Sequence, residues 1–278
     1  MADFKTAAVE LIDTAGVAQG VPFYGGNVGV VAQDYLQSIA EGDVPGHSLW
    51  SLLAQAPSAP ASQITVVPWN AAYVFPAAAQ QMRVVSTSAQ DGAGGTGIRT
   101  LRIFYLKSDY TPATTDVTLN GVTPVDTTPT DLFRINRVVG LTYGTTSAAV
   151  GTITLTNLAG AVTYSQISAL MTRDRSGVYT VPLGKTVYIT TARVGITKSS
   201  TTGNAATFTL RTNWDSDLGQ LTAGLVFAAR AEVNHMDGSF DSGFASPLVV
   251  PATTDLKIDV TAAQASSFCT AALRGWIE

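Results

Sequence analysis

The period of the apolar positions changes near residue 81, and this change predicts how the chain is organised. Before it, Val31, Tyr35, Leu36 and Ile39 fall on one helical face within Val30–Gly42, and Gly42 stands where a left-handed C-terminal cap is wanted. A second, shorter helix is expected over His47–Gln55. It is followed by an extended connector over Ala56–Ser62, where two prolines lie among small residues. With Gly20, Gly25 and Gly26 upstream, residues 1–80 read as an arm too irregular for a sizeable core of its own, which must pack on something else.

From residue 81 the period is two. β-Branched residues are interrupted by turn clusters, the pattern of antiparallel sandwiches. Strands are expected over Arg83–Ser88, Ile98–Leu106, Asp116–Leu119, Val122–Thr127, Phe133–Tyr143, Gly151–Asn157 and Val162–Ile167. Asn120-Gly121 predicts a type I′ hairpin turn between the third and fourth of these, because both residues tolerate positive φ. After the charged linker Thr172–Gly177, a second set is expected over Val178–Val181, Thr186–Lys198, Ala205–Thr212, Leu225–Val233, Ser246–Val249, Asp255–Thr261 and Ser267–Ile277. The reading is therefore a mainly β protein. An extended or helical arm (1–80) precedes a central antiparallel β-sandwich (81–172) and a distal one (173–278), each immunoglobulin-like or jelly-roll-like.

Composition changes this picture in one respect. Of 278 residues only 13% are charged against 46% hydrophobic, and 38 Ala, 37 Thr and 20 Ser make the polar surface one of hydroxyls rather than ions. Such a surface suits subunits that cover one another. Residues 1–82, 83–175 and 176–278 carry net charges of −5, +2 and −1, so no basic stripe can neutralise a run of phosphates and nucleic-acid binding is not expected. No apolar run approaches the length that spans a bilayer, and the first residues lack the pattern of a secretory signal, so folding in a cytosol is expected without membrane insertion. The single cysteine, Cys269, excludes an intrachain disulfide and falls where alternation buries it.

The motifs that could carry chemistry are weak. Gly92-Ala-Gly-Gly-Thr-Gly97 satisfies the dinucleotide fingerprint formally, but the run that follows, Ile98–Leu106, reads as a strand and not as the helix a pyrophosphate requires. Asn213-Trp-Asp-Ser-Asp217 spaces oxygen ligands like a calcium loop, yet Leu218 and Gly224 stand where Gly and Glu are needed. The two histidines, His47 and His235, lie far apart in sequence. No catalytic residue, metal site or cofactor is assigned, and enzymatic activity is not expected. Of four tryptophans, Trp50, Trp69 and Trp276 read as packing residues or are left unassigned. Trp214, between Asn213 and Asp215, is the one nominated for an exposed contact.

Several segments together resemble a family of tailed-bacteriophage virion structural proteins found in marine and environmental phages. They are Glu41–Ser48, Ala89–Arg99, Val117–Val125, Phe133–Arg137, Ala149–Thr154 and Tyr179–Ile189, in an order and spacing that cover about residues 40–190. The resemblance implies a non-enzymatic fibre, decoration or connector-attached protein located in the virion, with capsid, connector or tail proteins as partners. It also implies a homo-oligomer, a trimer for a fibre. On that reading the arm docks on the particle, with Val44, Pro45, Gly46, His47 and Trp50 as candidate docking residues. The distal domain faces solvent, with Trp214, Asp215, Asp217 and Asp237 as candidate contacts. The alternative is a receptor- or carbohydrate-binding module that meets host-surface polysaccharide through those distal residues.

Overall fold

The structure, a computed structural model, describes residues 23–24, 27–28, 35–197, 205–215, 220–221, 227–236 and 238–278. In chain order the elements are β1 (Phe23–Tyr24), β2 (Asn27–Val28), α1 (Tyr35–Glu41), β3 (Ser48–Ala59), β4 (Ile64–Thr65), β5 (Met82–Ser86) and β6 (Ile98–Leu106). Next come β7 (Pro112–Thr118), β8 (Val125–Asp126), β9 (Arg134–Tyr143), β10 (Ile153–Asn157), β11 (Thr163–Ile167), β12 (Val178–Thr180) and β13 (Val187–Thr197). The last are β14 (Ala205–Thr212), β15 (Trp214–Asp215), β16 (Gln220–Leu221), β17 (Ala228–Met236), β18 (Gly238–Val250), β19 (Asp255–Ala262) and β20 (Ser267–Ile277). The protein is mainly β, and among the described residues every strand ladder is antiparallel.

The central sandwich faces the sheet β11-β10-β5-β8 against β7-β6-β9. Alternation does the work here: the buried sides of β5, β6 and β10 supply Met82, Val84, Leu101, Ile103, Ile153 and Leu155 to one core. The distal sandwich faces β18-β13-β20-β3 against β12-β19-β14-β17, with β4 also paired to β19. Its core joins Leu52, Ile64, Ile189, Phe208, Leu256, Ile258 and Leu273, and Cys269 lies fully buried in it, where burial pushes the thiol pKa up to about 12.

Two expectations about residues 1–80 need correction. The helix expected over His47–Gln55 is strand β3. Trp50, Leu52, Ala54 and Ala56 point into the distal core while Leu49, Ser51 and Leu53 point out, and the strand pairs with β20 from Ser48↔Ile277 to Ala59↔Ser267. Leu and Ala favour helix in isolation, but an open ladder and an apolar face outweigh the few tenths of a kcal/mol per residue at stake. The stretch after Ser48 is therefore not an arm. Strands β3 and β4 belong to the distal sandwich, so that sandwich is discontinuous in sequence and the central one is inserted into it. The first helix is found over Tyr35–Glu41, with residues 30–34 of the expected span outside the described residues. Gly42, at φ +85°, closes it with a Schellman pair: Gly42 N–H donates to Ile39 C=O at 3.2 Å and Asp43 N–H to Ser38 C=O at 2.9 Å.

The Asn120-Gly121 hairpin also needs correction. Strand β7 pairs with β6 and strand β8 with β5, so the turn carries the chain from one sheet to the other instead of joining partners. Gly121 has φ +61° but Asn120 is not left-handed, so the turn is not type I′. Its backbone is held from outside: Gly121 N–H donates to Asp91 C=O at 2.7 Å and Ser86 N–H to Gly121 C=O at 3.0 Å.

Candidate functional site in the junction between the sandwiches

Because one sandwich is inserted in the other, the chain crosses between them twice, through residues 66–81 and again through 168–178. At the crossing lies a buried ion pair. Arg134 on β9 donates through Nε and Nη2 to the two oxygens of Asp255 at 2.9 and 3.0 Å, and the two side chains are 3% and 0% exposed. The guanidinium also donates to Pro76 C=O at 2.5 Å and lies 3.8 Å from the Phe133 ring centroid. Asp255 further accepts from Thr180 Oγ1 at 2.5 Å, and its own N–H donates to Asn213 Oδ1 at 2.8 Å. A planar, bidentate donor fits this position because its Nε, Nη1 and Nη2 each donate to a protein acceptor. Beside it, Asn136 and Thr180 exchange two bonds of 2.8 Å, amide to backbone in both directions. Across the same seam Gln55 N–H donates to Arg175 C=O at 2.9 Å. These contacts fix the angle between the sandwiches.

Next to the junction a cleft of about 470 Å³ opens between β3, β6, β9 and the 173–179 segment. Its apolar wall is built by Trp50, Tyr179 and Phe104, with Trp50 edge-on to Tyr179 at 5.3 Å. Its polar groups include Arg137, Arg173, Asp174 and Ser176. Asp174 is half-buried and accepts from Val138 N–H at 3.2 Å and Ser165 Oγ at 2.9 Å. Burial pushes its pKa up to about 6, against the opposing pull of those two hydrogen bonds and of Arg137 and Arg173. A carboxyl whose folded pKa is raised favours the protonated fold. Its contribution to stability is full below pH 3.8 and is lost as pH rises through about 6. Asp174→Asn is therefore expected to flatten the fall in stability across that window and to gain about 1–2 kcal/mol at pH 7. Urea midpoints of both proteins at pH 4.5 and pH 7 check this, and a difference independent of pH would contradict it.

The candidate docking residues are not brought together as one site. Val44, Pro45, Gly46 and His47 form a turn, closed by His47 N–H on Val44 C=O at 3.3 Å, with Gly46 at φ +80°. His47 Nε2 lies 2.6 Å from Glu278 Oε2, and Glu278 Oε1 accepts from Tyr188 at 2.6 Å. Tyr35 of α1 sits edge-on to Trp276, which stacks on Tyr188 with centroids 4.8 Å apart, so the helix and turn are seated on the distal sheet. Trp50, 8% exposed, belongs instead to the core and the cleft wall. Of the candidate distal contacts, Trp214 is half-buried on β15 and paired with Leu221. Asp215 lies on β15, its side chain outside the described residues, and Asp217 and Asp237 lie outside them altogether.

The glycine-rich motif has a structural explanation. The buried Asp91 carboxylate accepts from Ser86 Oγ at 2.7 Å and from the N–H groups of Ile98, Val150 and Gly151 at 3.1, 2.9 and 2.8 Å. The loop 92–97 folds tightly around it, and a Cβ on Gly97 would collide with Asp91 Oδ1. The residues that sequence reasoning missed are Arg137, Arg173, Asp174 and Tyr179. They are contributed by different segments, and the charge cluster in Thr172–Gly177 signalled only Arg173 and Asp174.

Among the described residues no cluster of three metal-ligating side chains occurs, and no helix is long and apolar enough to cross a membrane. No family model and no curated protein matches the chain. Among solved structures, the PBSX exported protein XepA aligns over 98% of this chain and 100% of its own at 10% identity and a TM-score of 0.17. The infectious bursal disease virus Gx strain structure aligns over 83% of this chain and 75% of its own at 14% identity and a TM-score of 0.19. The infectious bursal virus derived T=1 particle aligns over 87% of this chain and 73% of its own at 15% identity, with a TM-score of 0.18. At TM-scores this low none of these carries an argument about fold or function.

Proposed function

We propose that the chain is a non-enzymatic structural protein of a tailed-phage particle, a fibre or decoration component that docks through the residues before Ser48 and holds its two sandwiches outward. The observation that carries this reading is the double crossing closed by the buried Arg134–Asp255 pair, a contact that opposes relative motion of the two β domains. Stiffness between domains is not the default for tandem modules, whose relative motion is expected unless something locks them. Support also comes from the sequence resemblance over residues 40–190 and from the ion-poor surface, 13% charged. The docking segment is shorter than the 80 residues first expected, because β3 and β4 are part of the distal fold.

The test is made on particles. Virions purified from a lysate of the phage that encodes this chain are expected to carry it at a fixed copy ratio to the major capsid protein, measured by quantitative mass spectrometry. A version lacking residues 1–34, checked by circular dichroism to be folded, is expected to be absent from the particles. Full-length chain that stays wholly in the soluble fraction would overturn the proposal. Light scattering is expected to give the mass of three chains, and a stable monomer would remove the fibre version.

A further inference from the structure

The cleft beside the junction holds cationic groups that the rest of the protein does not use. Arg83, Arg102, Arg134, Arg193 and Arg211 each pair with an aspartate. Arg137 and Arg173, like Arg99, Arg175, Arg230 and Arg274, have no carboxylate partner among the described residues, and of these six only Arg137 and Arg173 line the cleft, where both act electrostatically on Asp174. Both are exposed. Asp174 itself is engaged by Val138 N–H and Ser165, so the two guanidiniums outnumber the one carboxylate facing them. Arg137 stands opposite Phe104 across the β6–β9 ladder, and Phe104 is 37% exposed, an apolar ring at the rim beside an unspent charge.

A second observation points the same way. Ser176 is 6% exposed and lines the cleft, and its Oγ has no hydrogen-bond partner in the protein. Buried hydroxyls are nearly always satisfied, so an orphan in a cleft wall is a group left for something that enters. Ser51 and Thr114 add two further hydroxyls to the lining. Aromatic faces, several hydroxyls and two guanidiniums in a space of about 470 Å³ define a narrow ligand chemistry. A bare phosphate would leave the aromatic wall idle. A nucleic acid needs a longer basic track than two arginines provide.

We propose that this cleft binds an acidic saccharide, a sugar ring bearing a carboxylate. Arg137 and Arg173 meet the carboxylate, Phe104 and Tyr179 face the ring, and Ser51, Thr114 and Ser176 serve its hydroxyls. The walls come from both sandwiches, so the junction that locks the domains also preorganises the site. This inference does not depend on the chain being a virion component.

The experiment titrates the full-length chain at low salt with tetragalacturonate, following tryptophan fluorescence and heat. Maltotetraose serves as the neutral control and inorganic phosphate as the anion control. Saturable binding of tetragalacturonate about tenfold or more tighter than either control is expected. The double variant Arg137→Gln/Arg173→Gln is expected to lose about tenfold in affinity with its melting temperature unchanged, and Phe104→Ala to weaken binding severalfold. Should the double variant fail to fold, the Phe104→Ala titration decides. No saturation at millimolar tetragalacturonate would overturn the proposal. So would phosphate binding as tightly as the oligosaccharide, or affinity unchanged in the variants.

Discussion

Asp255→Ala is expected to lower the free energy of unfolding by about 3–5 kcal/mol, because it strands a buried guanidinium without its counter-charge. Arg134 is 3% exposed and its nearest neighbours are the Phe133 ring and the Pro76 carbonyl, so nothing else can take up the charge. Thr180 Oγ1 would lose its acceptor at the same time. At about 2–4 °C per kcal/mol for a chain of this size, the midpoint should fall by roughly 10 °C. Arg134→Met should cost a comparable amount by leaving the carboxylate uncompensated. The double variant should cost clearly less than the sum, since a buried pair roughly breaks even against apolar residues while half a pair does not. Guanidinium unfolding of the four proteins completes the cycle, and additive losses would show that the two groups are not coupled. The pair thus contributes less to net stability than to geometry: it permits one relative placement of the sandwiches and penalises the rest.

The second large effect is expected at Asp91. Its carboxylate satisfies four donors at 2.7–3.1 Å, three of them backbone N–H groups, in a place with no exposure and no cation. Asp91→Ala leaves those donors unpaired, and at about 1–3 kcal/mol for each buried group left unsatisfied, a loss of at least about 4 kcal/mol is expected even after partial relaxation. Asp91→Asn should rescue little. The amide offers one acceptor oxygen and, in either orientation, turns its NH2 toward at least one backbone N–H that is itself a donor. Denaturant midpoints of the two variants check this, and near-wild-type stability of Asp91→Asn would refute the account of the loop. The same site explains why glycine recurs between residues 92 and 97: the loop must wrap a carboxylate closely, and Gly97 leaves room for Asp91 Oδ1.

Alternation was enough to locate most strands. Ile98–Leu106, Ala205–Thr212 and Ser267–Ile277 are found as read, since a strand buried on one face must write its period into the chain. The cap at Gly42 and the burial of Cys269 were likewise legible, because each depends on local backbone or on strand parity. Strand β3 was not. Ser48–Ala59 is rich in Leu and Ala, and only the vacant ladder edge of β20, more than 200 positions away, makes it extended. The candidate site was less legible still. Arg137 and Arg173 look like ordinary surface charges until the inserted sandwich brings strand β9 and the 168–178 crossing to one cleft, and Arg134 meets Asp255 across 121 positions.

The sequence by itself determined the mainly β class, the position of many strands and the ion-poor surface, all of which follow from side-chain chemistry summed over short windows. The tertiary structure alone decided which strands pair, that one sandwich is inserted in the other, and that a cationic, aromatic cleft opens between them. Those features arise from contacts between residues far apart along the chain, where pairing and burial energies exceed local propensity and leave no local trace.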